Sequence, residues 1–254
     1  MIALVTGGSS GIGYAFASKL ADLGYDLILV GRTLDTLAVA QKEIEEKYKV
    51  RVQIFIADIT KPEAREKMYE YASNYDISVV VNNAGIGLSK DFIDSTIEED
   101  MEIVDLNVVA LHHIMKHFYK IFVEKKSGRI INISSIASFI AGPAASTYYA
   151  SKAYVSSLTR AVAKEAKEHN VVIQAVCPGP TKTNFYLHAG TRANVYKQKP
   201  DKLAYKALKS KRTLVVVGFI NKAFHVISKI LPQSFILGIV MWRQRKIRVK
   251  ENKK

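Results

Sequence analysis

Residues 2–13 read IALVTGGSSGIG, an apolar run that passes directly into a turn with four glycines. Ile2 to Val5 predicts a short buried strand, and Tyr14 to Leu23 has helical periodicity that stops at Gly24. A glycine-rich turn between a strand and a helix places backbone N–H groups and a helix N-terminus against a pyrophosphate. An ordinary loop between a strand and a helix fits the same residues. As a dinucleotide turn, its predicted contacts are Gly7, Ser9, Ser10, Gly11, Ile12 and Gly13.

The end of the second predicted strand indicates which dinucleotide the chain binds. Asp26 to Val30 (DLILV) is apolar, and Gly31 and Arg32 follow at the point where a dinucleotide-binding fold meets the adenine ribose. An acid at this point binds the ribose 2′-hydroxyl of NAD, whereas a guanidinium binds the oxygens of a 2′-phosphate in pairs. Arg32 therefore favours NADP(H) over NAD(H), and the alternative is an exposed loop arginine.

A third predicted strand, Val52 to Ala57, leads to Asp58. In one interpretation this carboxylate binds the cofactor by accepting a hydrogen bond from the adenine amino group. In the other it caps the helix that begins at Thr60 to Pro62. Both interpretations stay open at this point.

Strand signals alternate with helical signals along the chain. Ile77 to Val81 is apolar and ends in the run Asn82 to Gly85, in which Gly85 gives close backbone access and the two asparagines can tie neighbouring strands. Further strands are predicted at Arg129 to Ser134, Val171 to Val176 and Leu214 to Val217. This spacing predicts an α/β fold, a single-domain, Rossmann-like, doubly wound parallel sheet of about seven strands with helices on both faces.

One long helix is predicted from Ser95 to Lys126, with Asn107 inside it. Asparagine is a poor residue for the middle of a helix because its side chain competes for backbone hydrogen bonds. We therefore expect Asn107 to have a role inside the fold. His112, His113 and His117 lie on the same helix, and the last two have the i, i+4 spacing of a metal pair. No third ligand is evident, so we predict no metal site and an exposed or subunit-facing side of the helix.

Residues 134–152 read SSIASFIAGPAASTYYASK and carry the candidate catalytic groups. Tyr148 and Lys152 are four residues apart, so they lie on one face of a helix. A lysine ammonium near a phenol favours the phenolate and lowers the tyrosine pKa, which suits acid–base catalysis at neutral pH. Ser135 lies thirteen residues before Tyr148, directly after an apolar run.

Positive charge is concentrated at the end of the chain. The net charge is +14 over 254 residues, and Lys199 to Lys254 alone carry 15 Lys/Arg against two acidic residues. This asymmetry predicts an anionic partner such as a membrane surface or an acyl carrier, with a solvated tail as the alternative. No nucleic-acid module accompanies the charge, so nucleic acid is not an expected partner.

The remaining composition limits the class of protein. A hydrophobic fraction of 48% is enough for one large α/β domain with a core. The single cysteine, Cys177, cannot form an intrachain disulfide, which favours a reducing compartment. A strand follows Met1 at once, so we expect no signal peptide, and no apolar run reaches the ~18–20 residues of a membrane span. The expected location is cytoplasmic, with the periphery of a membrane as the alternative.

Together, four motifs resemble the classical short-chain dehydrogenase/reductase family over roughly residues 2–220. TGGSSGIG is similar to its TGxxxGxG turn, NNAG to its structural motif, YYASK to its YxxxK motif and PGPTKT to its PGxxxT segment. The resemblance implies a Rossmann-like domain with NAD(P) at the strand ends. The catalytic residues that it implies are Asn107, Ser135, Tyr148 and Lys152. The cofactor contacts that it implies include Asn83, Ala84, Gly85, Tyr148, Lys152, Pro178, Gly179, Thr181 and Thr183.

The resemblance also assigns roles to these residues. Tyr148 would donate the proton that neutralises the oxyanion formed when a hydride attacks a carbonyl. Ser135 would hydrogen-bond and orient that oxygen. Lys152 would lower the pKa of Tyr148 and hold the nicotinamide ribose, while Asn107 would support a water that reprotonates Lys152.

Two pairs of neighbouring residues need to be told apart. Thr183, and after it Thr181, would hold the carboxamide of the nicotinamide. Ser134 and Tyr149 adjoin catalytic positions but miss the spacing of the family, so they are not assigned to catalysis.

The chain departs from the family pattern at its C-terminus. We divide it into a catalytic NADP-binding domain, residues 1–220, and a basic amphipathic extension, residues 221–254, which belongs to the same domain or contacts a membrane or subunit. Apolar and basic residues recur in this extension at helical spacing that is broken at Pro232. It would lie on anionic lipid, over the substrate site as a lid, or against another subunit. The expected assembly is a homodimer or homotetramer, the dimer being formed by the helices around Asn107 and Tyr148.

The predicted substrate pocket is apolar. Its segments, Gly87 to Phe92, Phe139 to Ala144 and Phe185 to Leu187, are rich in aromatic and aliphatic residues, and the pocket residues are Phe139, Pro143 and Phe185. Asn184 to Lys197 has no regular pattern, which suits a substrate lid.

These observations predict an NADP(H)-dependent carbonyl reductase, in reverse a secondary-alcohol dehydrogenase, that acts on a steroid-like or lipid-like ketone. A 3-oxoacyl thioester reductase is the alternative within the same chemistry, and the basic tail suits its acidic carrier. The alternative from another class is a non-catalytic NADP-binding regulator or a membrane-associated scaffold.

Overall fold

The alternation of strands and helices along the chain builds one parallel sheet. A computed structural model describes residues 1–191 and 198–247 of the protein. Within these residues the strands are β1 (Ile2–Thr6), β2 (Asp26–Gly31), β3 (Val52–Ile56), β4 (Ile77–Asn82), β5 (Gly128–Ile133), β6 (Val171–Cys177) and β7 (Leu214–Val216). They pair in the order β3-β2-β1-β4-β5-β6-β7, and all pairs are parallel. The predicted seven-stranded, Rossmann-like single domain is confirmed, with each strand end within one residue of its prediction.

Helices cover both faces of the sheet. They are α1 (Gly11–Asp22), α2 (Leu34–Tyr48), α3 (Pro62–Ser73), α4 (Ile97–Val104), α5 (Leu111–Glu124), α6 (Ser146–Glu165), α7 (Phe185–His188), α8 (Pro200–Lys209), α9 (Phe219–Ile230) and α10 (Gln233–Ile247). Successive strand residues point to opposite faces, so Val5 packs with α1, α2 and α8 whereas Leu4 packs with α3, α5 and α6. Burial on both faces explains why the strands are continuous apolar runs.

The strand order places a binding crevice at one edge of the sheet. The chain turns outward in both directions from β1 and β4, so their carboxyl ends form the switch point where doubly wound sheets bind ligands. The glycine turn follows β1, and Asn83 follows β4. Residue Ser134 follows β5 and Pro178 follows β6, which brings the candidate motifs to the same edge.

The helix that was predicted as one element from Ser95 to Lys126 is divided. It begins at Ile97, because Thr96 caps it: the Thr96 hydroxyl accepts from the N–H of Glu99, whose carboxylate accepts from the N–H of Thr96. It then widens into a π-helix over Asp105–Ala110 before α5 continues. The single regular helix was therefore wrong at both its start and its middle.

The C-terminal segment forms two helices that are separated at Pro232, as its spacing predicted. Helix α9 packs on the short 3₁₀ helix Ile136–Phe139, and α10 reaches the residues around Tyr149. The division at residue 220 stays a prediction. Residues 192–197 of the predicted lid and residues 248–254 of the extension lie outside the described residues. Within 1–191 and 198–247, every helix is too short or too polar to cross a membrane.

Candidate active site

The glycine turn leaves the N-terminus of α1 open to a ligand. Gly7 and Gly11 have φ values of +62° and +57°, which side chains rarely adopt, and a Cβ on Gly13 would collide with the carbonyl oxygen of Gly7. Ser10 is the N-cap, but its hydroxyl makes no capping hydrogen bond, and the first turn carries no acid. The first backbone bond of the helix is from Tyr14 to Ser10, so the N–H groups before Tyr14 have no partner within the helix. A phosphate fits these donors.

Two asparagines fix this turn to the neighbouring strands. The Asn83 amide donates to the carbonyls of Thr6 and Gly7, at 3.0 and 3.1 Å. The Thr6 hydroxyl in turn accepts from the backbone N–H of Asn83 at 3.0 Å. Asn82 donates to the side chain of Asn132 in β5 at 2.8 Å. The prediction that this pair ties strands together is confirmed, while contact of Asn83 with a cofactor stays a prediction.

Gly85 lies where two predicted catalytic side chains converge. A Cβ on Gly85 would lie 2.9 Å from Oδ1 of Asn107 and 3.2 Å from Nζ of Lys152. Only glycine leaves these polar atoms uncovered. The close backbone access that the sequence predicted for Gly85 is therefore present on the side of Asn107 and Lys152.

Asn107 is fully buried inside the π-helical segment. Its amide nitrogen donates to the carbonyl of Ile86 at 2.9 Å and to the hydroxyl of Ser151 at 3.0 Å, and its Oδ1 accepts from the N–H of Ile86 at 3.0 Å. A π-helical turn is a frequent feature of functional sites. These three bonds confirm that Asn107 has a role inside the fold, and they join the helix to the segment after β4 and to α6.

Lys152 is buried and its ammonium donates to the carbonyl of Ile133 at 3.0 Å. Burial lowers the pKa of Lys152 to about 8, and the neighbouring Cys177 opposes this shift. Its Nζ lies 5.9 Å from the ring centroid of Tyr148. The i, i+4 spacing thus places both groups on one face of α6, as predicted.

The pKa of Tyr148 departs from the prediction. Burial raises the pKa of this phenol well above its ordinary value, and a hydrogen bond with Ser135 offsets only part of that rise. The predicted lowering by Lys152 is not seen, because the lysine is itself buried and directed at the carbonyl of Ile133. The geometry of the pair is therefore as predicted, whereas its electrostatics are dominated by burial.

The neighbours of the catalytic positions have structural contacts. Ser134 donates to the backbone carbonyl of Lys152 at 2.9 Å and pairs with the hydroxyl of Ser156 at 2.8 Å. The phenol of Tyr149 accepts from the side chain of Gln244 in α10 at 2.7 Å. Ser134 therefore positions the lysine, and Tyr149 anchors a helix over the site.

The adenosine end of the crevice holds Arg32 and Asp58. Arg32 is exposed, with Nη1 3.9 Å from the carboxylate of Glu102. One oxygen of Asp58 accepts from the N–H and the hydroxyl of Thr60, at 3.1 and 2.8 Å. Burial acts to raise the pKa of Asp58, but these bonds and the charge of Arg32 hold it below its usual range. Asp58 does not cap α3, because the N-cap of that helix is Lys61, so the capping interpretation was wrong.

The two threonines after β6 lie in different environments. Thr183 faces the glycine turn, since a Cβ on Gly11 would lie 3.0 Å from the Thr183 methyl carbon. Thr181 is buried, and its hydroxyl donates to the carbonyl of Gly179 at 2.8 Å. The carbonyl of Pro178 accepts from the N–H of Ile136 at 3.0 Å. Thr183 is therefore the threonine of the segment that borders the cofactor turn.

The predicted pocket residues lie on two sides of Tyr148. The ring centroid of Phe185 is 5.6 Å from that of Tyr148, whereas Phe139 packs on His225 of α9 with centroids 4.0 Å apart. Pro143 is half-buried. Sequence reasoning missed that α9 and α10 contribute His225 and Gln244 here. Gln244 could have been found from its helical spacing to Ile236, whose side chain is buried and marks the inward face of α10.

The histidines of α5 have partners other than a metal. Nδ1 of His112 lies 2.7 Å from the hydroxyl of Tyr154, and the His117 ring stacks on Tyr69 with centroids 3.8 Å apart. Across the described part of the chain, no three His, Cys, Asp or Glu side chains are grouped as metal ligands.

The family model described as short chain dehydrogenase matches residues 1–192 of this chain. A very-long-chain 3-oxoacyl-CoA reductase of Coprinopsis cinerea is 34% identical over 180 residues, which cover 68% of this chain and 52% of that protein. The chain thus spans about half the length of that relative. A 7beta-hydroxysteroid dehydrogenase of Mediterraneibacter gnavus is 27% identical over 228 residues, 87% of each chain.

A solved structure resembles the whole described fold. The short-chain dehydrogenase from Sphingobium yanoikuyae, in complex with NADPH, aligns with a TM-score of 0.82 at 27% identity. The alignment covers 100% of this chain and 98% of that one. The similarity therefore extends to the C-terminal helices.

Proposed function

Since this chain belongs to the short-chain dehydrogenase family, we propose that it is an NADP(H)-dependent carbonyl reductase. The family consists of oxidoreductases that act on CH–OH groups, so the reverse reaction is oxidation of a secondary alcohol. The proposed substrate is an apolar ketone of lipid-like or steroid-like shape.

The observation that carries this proposal is the convergence of four polar side chains at the switch point of the sheet. Asn107 and Lys152 meet beside Gly85, and the Ser135 hydroxyl lies close enough to Tyr148 to lower the pKa of its phenol. Buried polar groups are costly unless they are paired or used in chemistry. All four would touch the substrate, the cofactor or each other.

The residues fit a nicotinamide dinucleotide, which supplies the hydride when it is bound. The glycine turn and the N-terminus of α1 would hold its pyrophosphate, because their N–H groups have no partner within the helix. Thr183, which faces Gly11, would hold the carboxamide. Lys152 would hold the nicotinamide ribose with the donors of its ammonium that Ile133 does not use.

Tyr148 would act as the general acid. Its raised pKa keeps the phenol protonated at neutral pH, so it can donate to the carbonyl oxygen as negative charge develops there. Ser135 would orient the same oxygen. The pKa of Lys152, about 8, suits an ammonium that returns a proton to the site near neutral pH. Asn107 would support the water in that return path.

Arg32 supports the preference for NADP(H). Its guanidinium is exposed at the end of β2 and has only a loose ion pair, 3.9 Å from Glu102. A 2′-phosphate offers it a bidentate partner of higher charge. The charge of Arg32 helps to keep the pKa of Asp58 low. Asp58 would accept a hydrogen bond from the adenine amino group with the carboxylate oxygen that Thr60 does not use.

A second candidate substrate is a 3-oxoacyl thioester. The Coprinopsis cinerea relative is named for reduction of such a thioester, and the same proton and hydride chemistry applies. The basic segment Lys199 to Lys254 suits the phosphates or acidic surface of an acyl carrier.

The proposal includes the assembly of the protein. A homodimer would form through α5 and α6, where the pair His112 and Tyr154 lies on the outer surface of both helices. A homotetramer is the larger alternative. The extension from residue 221 would act as a unit that contacts the substrate side of the domain and an anionic partner, either a membrane surface or an acyl carrier. A reducing, cytoplasmic setting rests on the single buried thiol of Cys177.

The test is oxidation of NADPH and of NADH, followed at the nicotinamide absorbance, with ketosteroids, 3-oxoacyl thioesters and simple aromatic ketones. Tyr148→Phe is expected to lower turnover by at least about a thousandfold while NADPH still binds. Tyr149→Phe is the matched control and keeps most of the turnover. Arg32→Asp is expected to shift the preference towards NADH, whereas Arg51→Asp, just before β3 where Arg51 pairs with Asp26, is not.

Two results would contradict the proposal. If NADPH binds but no ketone is reduced, the chain is a cofactor-binding regulator instead. If Arg32→Asp leaves the ratio of NADPH to NADH turnover unchanged, the 2′-phosphate is held elsewhere.

A further inference from the structure

Helix α9 presents its apolar side to solvent. Phe219, Ile220, Val226, Ile227 and Ile230 recur at helical spacing, and Phe219 and Ile230 are 86% and 74% exposed. An amphipathic helix on a globular protein normally turns this stripe towards the core. None of the residues of α9 is fully buried. The apolar side of α9 therefore faces away from the core, whereas an ordinary surface helix turns its apolar side towards the core.

The polar side of α9 faces the protein. Asn221, His225 and Ser228 form the opposite stripe, at i, i+4 and i+7. Asn221 donates to the carbonyl of Val217 at 2.6 Å, and a Cβ on Gly179 would collide with the Asn221 amide. These contacts orient the helix, so the outward position of its apolar stripe is determined by packing.

Helix α10 has the same arrangement at its outer surface. Phe235, Ile239 and Trp242 recur at i, i+4 and i+7 and are 60%, 51% and 64% exposed. The inward side carries Ile236, which is 6% exposed, and Gln244, which is bonded to Tyr149. We call the eight exposed side chains of the two helices, Phe219, Ile220, Val226, Ile227, Ile230, Phe235, Ile239 and Trp242, the outer stripe.

The outer stripe continues around the substrate side of the domain. Arg245 of α10 pairs with Asp91 at 3.2 Å, which brings the helix next to Phe92 and Ile93, which are 69% and 92% exposed. Leu187 of α7 is also exposed. So many exposed apolar side chains on neighbouring elements mark an interaction site.

The charge of the surrounding segment is uniformly positive. From Lys202 to Lys250 the sequence has no Asp or Glu, and cations border the outer stripe at Lys222, Lys229 and Lys246. Nζ of Lys246 lies 4.9 Å from the Trp242 ring centroid. Exposed Trp, Phe and Ile next to Lys form the surface that binds at the interface of an anionic bilayer.

We propose that the outer stripe seats this protein on an anionic lipid membrane, with α9 and α10 lying in the headgroup region. The inference rests on the proposed function, which left two anionic partners open, a membrane surface and an acyl carrier. It selects the membrane. Seated in this way, the rim at Phe92, Ile93 and Leu187 faces the lipid, so an apolar ketone reaches Tyr148 from the bilayer.

Other occupants fit the surface less well. A second copy of the chain, related by a twofold axis, would place Lys222, Lys229 and Lys246 against the same cations without a carboxylate in the segment to pair them. An acidic carrier protein would pair the cations but leave Phe219, Ile230 and Phe235 in water.

The protein carries its own reporter, because Trp242 is its single tryptophan. With vesicles of phosphatidylcholine and phosphatidylglycerol we expect a blue shift of its emission, quenching by brominated lipid, and sedimentation with the vesicles that is lost in high salt. Vesicles of phosphatidylcholine alone are expected to bind at least about tenfold more weakly.

Variants separate the two components of binding. The triple variant Phe219→Ser, Ile230→Ser and Phe235→Ser is expected to weaken sedimentation at least about tenfold. Its matched control removes three exposed apolar side chains of α1 and α2, Leu23→Ser, Leu34→Ser and Val39→Ser, and is expected to bind as the parent protein. Lys222→Gln, Lys229→Gln and Lys246→Gln together are expected to remove the salt dependence, unlike Lys47→Gln, Lys49→Gln and Lys67→Gln.

The proposal is overturned by absence of sedimentation with anionic vesicles in low salt, or by equal loss in the stripe variant and its control. A change of oligomeric mass in the stripe variant without any vesicle binding would make the stripe a subunit interface. Capture by an acidic acyl carrier without vesicle binding would select that partner. Since these readouts do not involve turnover, the failure of the reductase assay leaves them interpretable.

Discussion

The groups around Lys152 and those on α10 border the same site, yet they meet the rest of the protein in opposite ways. Around Lys152 the interior is polar, and the buried side chains of Asn107 and Ser134 make hydrogen bonds. On α10 the apolar side chains Phe235 and Ile239 are exposed. The first region buries polar atoms, whereas the second exposes apolar side chains to solvent.

This contrast shows two ways in which function departs from the rules of stability. Burying an ammonium costs free energy, and the proposed role of Lys152 accounts for that cost, since a reacting group must be held away from water. Leaving Phe235 in water also forgoes burial, which is tolerable when a partner covers it. We expect removal of the buried Lys152 ammonium to change activity and stability in opposite directions, and substitutions in the second region to affect stability only on the inward side.

The largest effect is expected from Lys152→Met. Loss of the ammonium should lower turnover by at least about a thousandfold. Stability should move the other way. The folded pKa of about 8 lies below the ordinary 10.5, so the unfolded chain binds more protons between these values and stability of the parent protein rises with pH across them. Below pH 8 the variant is therefore expected to be more stable, by up to about 3 kcal/mol.

Urea unfolding of both proteins at a series of pH values measures this difference. Lys164→Met, late in the same helix, supplies the control. A parent protein without extra pH dependence in that window would mean that Lys152 is not held as a desolvated cation.

The next largest effect is expected from Asn107→Ala. It leaves the N–H and carbonyl of Ile86 and the hydroxyl of Ser151 without their partner, so we expect a loss of about 3 kcal/mol in the free energy of unfolding. Asn221→Ala in α9 removes a single bond to Val217 and should cost about 1 kcal/mol. Equal losses of unfolding free energy at Asn107 and Asn221 would mean that the two regions do not differ in how strongly their polar side chains are held.

Much of the first region was predictable, because local backbone geometry determines which residue types it needs. Glycine at positions 7 and 11 and the spacing of Tyr148 and Lys152 follow from local geometry, and the structure bears out where they lie. The π-helical turn at Asn107 was not predictable, since its cause is the long-range pairing with Ile86 and Ser151.

For the C-terminal segment, the sequence predicted the two helices but not which of their faces is exposed. Periodicity and Pro232 indicated two helices, but periodicity does not say which face turns inward. That is decided by Tyr149, 95 residues away in sequence, which holds Gln244. The pKa of Tyr148 was missed for a similar reason, because burial depends on the whole site rather than on Lys152 alone.

A smaller effect separates two adjacent residues of α10. Ile236→Ala is expected to cost about 2 kcal/mol of stability because its side chain is 6% exposed, whereas Phe235→Ala, at 60%, should stay within about 0.5 kcal/mol. Thermal or urea unfolding in the absence of lipid measures both. If Phe235→Ala proves the more costly, the helix faces the other way and the outer stripe is part of the core.

The smallest effect is expected from Gln244→Ala. The variant loses one hydrogen bond, the donation to the phenol of Tyr149 at 2.7 Å, for which we expect about 1 kcal/mol of stability and a few-fold rise in KM with little change in kcat. Tyr149→Phe removes the same bond from its other end. If α10 is held over the site by this bond, the double variant should be little worse than either single variant, which a double-mutant cycle detects as coupling of about 1 kcal/mol. Additive effects would mean that Gln244 and Tyr149 act separately, and that α10 covers the site without being tied to the residue beside the proposed proton donor, Tyr148.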